Sequence, residues 1–164
     1  LGVYTAATGA GLTCGQRWPL CDGAVFGLFP ADFPSFVEWF HRLWAMIAGV
    51  VVVGATLSAW RGDADRRVTR ALAGATLILP SQVILGALTV TRYELLILVA
   101  HFVTAFAIFL SLVAALVWVD LREGRGATGE RLYLLAFAGV GVTGFQAVFG
   151  RDLIYTFWPS IHTS

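Results

Sequence analysis

The sequence predicts an all-α protein, a polytopic bundle of transmembrane helices with four full helices and a partial helix at its start. Of its 164 residues, 58% are hydrophobic and only 13% are charged, whereas a soluble domain carries about 25% charged residues. Long apolar runs also follow one another along the chain, and a helix needs about 20 such residues to cross a bilayer. We therefore expect a single membrane domain over residues 1–164 with no separate soluble domain.

The elements can be placed in chain order from their charge-free runs. Residues 1–12 are apolar but too few to span a bilayer, so we interpret them as the tail of a helix. A long loop is predicted over residues 13–35. The apolar runs predict full helices over residues 36–60, 71–91, 95–119 and 132–150. At about 1.5 Å per residue, each run is close to the length that crosses about 30 Å of hydrocarbon.

Arginines predict the orientation of this bundle. Four of them lie in residues 61–70 and three in residues 120–131, whereas residues 13–35 and 92–94 contain one each. Because positively charged loops stay on the cytoplasmic side, the two arginine-rich loops are predicted inside and the other two outside, in a cell inner or plasma membrane. The net charge of +1 and the absence of a continuous basic stripe give no indication of nucleic-acid binding.

Two histidines lie inside the predicted spans, and ionisable groups in a membrane usually mark a functional site. His41 is about five residues into its helix and His101 about six, counted from the same side, which places both about 8–9 Å deep. Two imidazoles at matched depth on separate helices suit the opposite faces of a haem iron. The alternative is that each histidine is hydrogen-bonded to a neighbouring helix. His162, in the predicted outer tail, is expected to be solvated.

Three ionisable residues share one helix face, because Glu38 precedes His41 by three residues and Arg42 by four. Glu38 is predicted to lie about 4.5 Å nearer the outer surface than His41. It could act as an acid or base beside a bound ligand, or only as the ion-pair partner of Arg42. The planar guanidinium of Arg42 also suits a haem propionate.

Cys14 and Cys21 are the two cysteines of the chain and lie seven residues apart in the predicted outer loop. An oxidising compartment allows a disulfide between them, two unpaired thiols are the alternative, and exchange with a partner thiol protein is a further one. Gln82, in the predicted third helix, is expected to form a hydrogen bond between helices or to contact a bound ligand.

These motifs together resemble one known family, the haem A synthases. Residues 8–14 (TGAGLTC) and 18–23 (WPLCDG) resemble the outer loop that follows the first helix of that family. Residues 38–42 (EWFHR) resemble its E-x-x-H-R motif, and residues 82–90 (QVILGALTV) resemble its third-helix pattern. His101 stands where the fourth helix of the family has a haem-ligand histidine. The resemblance covers about residues 8 to 119.

The resemblance implies that the protein oxidises a methyl group of haem O to a formyl group, which gives haem A for terminal oxidases. It implies that His41 and His101 are axial ligands of the haem iron or gate the site, that Glu38 is the catalytic carboxylate and that Cys14 and Cys21 form a disulfide. Haem O and haem A are then substrate and product, with haem b as a further cofactor of the family. Haem O synthase and terminal-oxidase assembly proteins are the implied partners, besides membrane lipid.

The chain departs from the family in length, because bacterial and mitochondrial members have eight helices in two halves. We expect either the N-terminal half of such a protein or a compact form that completes the enzyme as a homo-oligomer. Residues 145–150 (FQAVFG) resemble the opening of the second half. Two other functions stay open. A small b-type cytochrome carrying electrons would need the two histidines but neither Glu38 nor the cysteines, and a respiratory-complex assembly subunit would need no haem.

Overall fold

The computed structural model describes residues 1–7, 9–15, 17–21, 29–30, 32–92 and 94–124, together with positions 133, 136 and 139. These residues form helices and contain no strand. The elements are α1 (Gly2–Ala7), a 3₁₀ helix (Ala10–Leu12), α2 (Phe33–Arg61), α3 (Arg66–Thr91) and α4 (Leu95–Arg122). The three longest, α2, α3 and α4, are long and apolar enough to cross a membrane. The predicted all-α polytopic membrane bundle is confirmed.

The three long helices extend beyond the predicted limits. The prediction used only the apolar runs, whereas the helices also include polar and charged residues in their first or last turns. Helix α2 begins three residues before the predicted start at position 36, where the Asp32 carboxylate accepts a hydrogen bond of 2.9 Å from the backbone N–H of Ser35. This bond holds the pKa of Asp32 below its ordinary value. Helix α3 begins at Arg66 rather than at position 71, with Asp65 accepting from the backbone N–H of Arg67 at 2.7 Å.

The first predicted segment is not one continuous helix. Helix α1 ends at Ala7, and Gly9 adopts a φ of 68°, in the left-handed region that glycine enters without steric cost. The chain then forms the 3₁₀ helix before it reaches Cys14. The fifth predicted helix, residues 132–150, lies outside the described residues except for positions 133, 136 and 139, which are helical.

Helix α3 lies between α2 and α4 and packs against both. Within the described residues, α2 and α4 make no packing contact with each other. Few side chains on the three spans are buried, and many of the large apolar ones are exposed, for example Leu77 and Leu96. An apolar exterior is what lipid-facing helices require.

Polar side chains join the helices at two levels, on either side of a proline in the middle of α3. In the half of α3 before the proline, the hydroxyl of Thr76 lies 2.7 Å from the hydroxyl of Thr56 in α2. In the half after the proline, Gln82 is hydrogen-bonded to α4. Pro80 itself has no N–H and so removes one backbone hydrogen bond from α3. Hydrogen bonds of this kind hold helices together in lipid.

Candidate haem site

The two intramembrane histidines lie on parallel helices at similar depth. His41 is eight residues after the first residue of α2 and His101 six residues after the first residue of α4, or about 12 Å and about 9 Å along the two axes. The His101 ring lies within electrostatic range of both the His41 ring and the Glu38 carboxylate. These three side chains therefore lie near one another at the same end of α2 and α4.

Each imidazole packs against a glycine of a neighbouring helix. A Cβ atom added to Gly2 of α1 would lie 3.1 Å from Cε1 of His41, and one added to Gly86 of α3 would lie 3.4 Å from Cε1 of His101. The bare backbone at these positions lets the helices approach the rings closely. Neither glycine was assigned a role from the sequence.

Two buried nitrogen atoms at this end have no hydrogen-bond partner among the described residues. They are Nδ1 of His101 and Nη2 of Arg42. Buried polar atoms are nearly always paired in folded proteins, so Nη2 of Arg42 can take a partner from a bound ligand, and a guanidinium suits a propionate carboxylate. The imidazole of His101 suits haem iron, and its Nδ1 can donate to a further polar group. The residues present therefore fit a haem. Within the described chain, no group of three or more His, Cys, Asp or Glu side chains could hold a separate metal ion.

Glu38 is a buried charge with a charged partner. The residue is 4% exposed, and its Oε1 accepts a hydrogen bond of 2.8 Å from Nε of Arg42. Its Oε2 lies 3.9 Å from the position of a Cβ on Gly11, which places the carboxylate beside the 3₁₀ helix. The ion pair with Arg42 is thus present in the structure. It leaves the second carboxylate oxygen for other contacts, so a pairing role and a chemical role are compatible.

Arg42 connects Glu38 to the loop that carries the cysteines. Its Nη1 donates to three backbone carbonyl oxygens, those of Arg17, Pro19 and Leu20, at 3.1, 3.2 and 3.1 Å. With Nε engaged by Glu38, Nη2 is the nitrogen left for a propionate. The sequence did not predict this attachment, because helical spacing reports only on residues three or four positions away.

The cysteine loop is fastened to the first turn of α2. Cys14 and Cys21 are joined by a disulfide, and Cys14 is fully buried. Ser35, which is 1% exposed, donates a hydrogen bond of 3.0 Å from its hydroxyl to the carbonyl of Thr13. The Cys21 sulphur lies 3.6 Å from the Ser35 carbonyl oxygen; a disulfide sulphur carries no proton, so this is a contact and not a hydrogen bond. Sequence reasoning missed Ser35.

Gln82 holds α4 at the level of His101. Its side-chain amide donates to the backbone carbonyl of His101 at 2.9 Å and to the hydroxyl of Thr104. The Thr104 hydroxyl in turn lies 2.8 Å from the carbonyl of Ala100. Gln82 therefore positions the helix that carries His101, and these bonds engage its amide nitrogen within the protein.

Enlarging Gly86 is expected to displace the His101 ring. Because a Cβ at this position already lies 3.4 Å from Cε1 of His101, Gly86→Leu would place further atoms where the ring stands. We expect haem affinity to fall by about 10–100-fold, as when a group that orients a metal ligand is lost, with Gly86→Ala much milder. Haem titration followed by visible absorption measures this. Gly74→Leu on the same helix is the matched control, since nothing lies within 4 Å of its Cβ; an equal loss in the control would contradict the expectation.

Removing the Arg42 side chain is expected to destabilise the protein and release the cysteine loop. Arg42→Ala leaves Glu38 as an unpaired buried charge, which typically costs about 3–5 kcal/mol. Arg42→Lys keeps a charge near Glu38 but loses the fork that also reaches the loop carbonyls. We expect Arg42→Ala to lower the unfolding midpoint in detergent, and both variants to be cleaved faster by trypsin after Arg17. Arg92→Ala removes an exposed arginine at the same end and should change neither measurement.

The fold and the site define a class, a multi-pass helical membrane protein with paired histidines and a buried glutamate at one end of its bundle. The chain belongs to the COX15-CtaA family, described as cytochrome oxidase assembly proteins, whose family model matches residues 1–151. The resemblance noted in the sequence is thereby confirmed at the level of the family.

Several relatives carry names that refer to haem. The chain is 32% identical to the "Heme A synthase" of Bacillus licheniformis over 99% of its own length and 53% of that protein. It is 34% identical to the "Heme A synthase" of Bacillus pumilus over 74% of this chain and 41% of that protein. It is 41% identical to the "Protoheme IX farnesyltransferase" of Halobacterium salinarum over 79% of this chain and 29% of that protein. The chain thus spans about half or less of the length of these relatives. No solved structure matches it.

Proposed function

We propose that this chain binds haem O between α2 and α4 and takes part in the oxidation of one haem methyl group to a formyl group, the reaction of a haem A synthase. The observation that carries this proposal is the arrangement of His41, His101 and Glu38, three ionisable side chains that lie near one another at one end of a membrane bundle. Membership of the COX15-CtaA family and the two relatives named heme A synthase support it.

The reaction defines what the side chains must do. Conversion of a methyl to a formyl group takes one oxygen atom from water and releases four protons and four electrons. The electrons leave to a membrane acceptor of the quinone or cytochrome class. His41 and His101 hold the substrate haem by its iron, and Arg42 offers Nη2 to a propionate. Glu38, held by Nε of Arg42, orients water and accepts protons through its second oxygen.

The surrounding structure keeps this region ordered. The cysteine loop covers the end of α2 through the Arg42 and Ser35 contacts, and the two glycines back the imidazoles. We propose that this loop lies on the outer face of the membrane, as the arginine distribution predicts. Since the chain spans 53% of the Bacillus licheniformis relative, the remaining parts of the reaction would come from a further segment of the protein or from a second copy of this chain.

The relatives named protohaem IX farnesyltransferase favour a second candidate, a haem-binding unit that works beside a farnesyl-transfer enzyme. The match covers 29% of the Halobacterium salinarum protein, so the transfer named there can reside in its other parts. In this role the chain would hold haem next to the enzyme that makes haem O. The site geometry is compatible with both candidate functions. They differ in whether the haem methyl group is oxidised.

The test is to express the protein in cells that make haem O and to separate the extracted haems by chromatography. The proposal predicts hydroxylated or formyl products that are absent from cells with an inactive variant, His101→Ala. Accumulation of haem O alone, with haem bound to the purified protein, would contradict methyl oxidation and support the second candidate.

A further inference from the structure

A cavity lies at the end of the bundle opposite the histidines, between the end of α2 and the start of α3. It is an open groove of about 620 Å³. Its lining includes the arginines Arg66 and Arg70, together with Trp60 and the small residues Ala59 and Ala73. None of the described residues that line it is acidic. The cavity is therefore separate from the candidate haem site and has a positive wall.

The two arginines are the polar groups of this cavity that have no partner. They lie four residues apart on α3, so both point to one side of the helix. Both are exposed, and neither makes a hydrogen bond or an ion pair within the described chain. The lining threonines, by contrast, are engaged: Thr56 with Thr76, at 2.7 Å, and Thr69 with the carbonyl of Asp65, at 3.3 Å.

The other walls of the cavity suit a lipid. Trp60 is 73% exposed, and tryptophan favours the level of the lipid headgroups. The small side chains of Ala59 and Ala73 leave room between the two helices. One turn further along α3, Leu77 is 81% exposed on the span, in the direction of the hydrocarbon core. A ligand with a charged head at the arginines and an apolar tail along α3 matches these surfaces.

We propose that this cavity binds an anionic phospholipid, with the headgroup phosphate between Arg66 and Arg70 and an acyl chain along Ala73 and Leu77. The planar fork of arginine matches phosphate oxygens, and basic pockets between transmembrane helices are known sites for anionic headgroups. A soluble phosphate would use the arginines alone, whereas a phospholipid also uses the exposed tryptophan and the apolar face of α3.

The proposal is tested in nanodiscs that contain phosphatidylcholine and phosphatidylglycerol, with retained lipids counted by native mass spectrometry. We expect the protein to retain phosphatidylglycerol preferentially. The double variant R66Q/R70Q should weaken this retention by about 25-fold, about fivefold for each arginine, because each loses its hydrogen bonds to the phosphate. The matched control is R61Q/R67Q, which removes the same charge from the same end but at residues that do not line the cavity; it should change retention by no more than about twofold.

A second variant keeps both arginines and fills the groove. Ala73→Phe should also weaken phosphatidylglycerol retention. This result would distinguish lipid binding in the groove from general attraction to surface charge. Far-UV circular dichroism checks that each variant keeps its helices. Equal loss in R66Q/R70Q and R61Q/R67Q, or no preference in the unaltered protein, would overturn the proposal. Full displacement of the lipid by soluble glycerophosphate would assign the site to a soluble anion and overturn it as well.

Discussion

Replacement of Glu38 by glutamine is expected to abolish methyl oxidation while the protein still binds haem. Glutamine keeps the size of the side chain and can still accept the hydrogen bond from Nε of Arg42, but it cannot take up a proton. Loss of a positioned acid or base typically lowers a rate by about 10²–10⁴-fold. The formyl haem extracted from cells should therefore fall below detection, while the visible spectrum of the purified variant stays unchanged.

The matched control for this variant is Asp120→Asn. Asp120 is the other strongly buried carboxylate of the described helices, 6% exposed near the far end of α4. Its replacement removes the same kind of group far from the histidines and should leave the haem products unaltered. Normal amounts of formyl haem in Glu38→Gln would exclude a chemical role for Glu38 in the oxidation.

Replacement of His101 by alanine is expected to remove the bound haem. If the ring is an axial ligand, its loss should weaken binding by at least about 100-fold, because even a residue that only orients a metal ligand contributes about 10–100-fold. The purified variant should lose its Soret band at haem concentrations that saturate the unaltered protein. Added imidazole, which can occupy the space left by the ring, should restore part of the band.

Phe102→Ala is the control for this experiment, since it removes a neighbouring ring of α4 while leaving His101 in place. It should retain the spectrum. A His101→Ala variant with full haem content and an unshifted Soret band would show that the iron is held elsewhere, and the proposed site between α2 and α4 would then be wrong. His41→Ala, measured in parallel, shows whether both histidines contribute.

The spans were predictable from the sequence because lipid imposes a simple requirement, long apolar runs, on the helices that cross it. Their ends were not, because the caps at Asp32 and Asp65 and the charged first turn of α3 lie outside those runs. The break after Ala7 depends on the left-handed conformation of a single residue, Gly9, which no periodic pattern reveals.

The sequence predicted those parts of the candidate site whose residues lie close together along one helix. Glu38, His41 and Arg42 share a helix face through their spacing, and ionisable residues within a span stand out. The bonds from Arg42 to the cysteine loop join residues 22 to 25 positions apart, and the glycine contacts join different helices. Such contacts follow from how the helices are arranged in space, which the order of residues along one helix does not specify.

Pro80 lies between the side-chain hydrogen bonds that attach α3 to α2 and those that attach it to α4. The half of α3 before Pro80 is fastened to α2 through Thr76, and the half after it is fastened to α4 through Gln82. Because the helix lacks a backbone bond at this point, it bends there at lower energetic cost than elsewhere. The point at which α3 bends most easily therefore lies between its attachment to α2, the helix of His41, and its attachment to α4, the helix of His101.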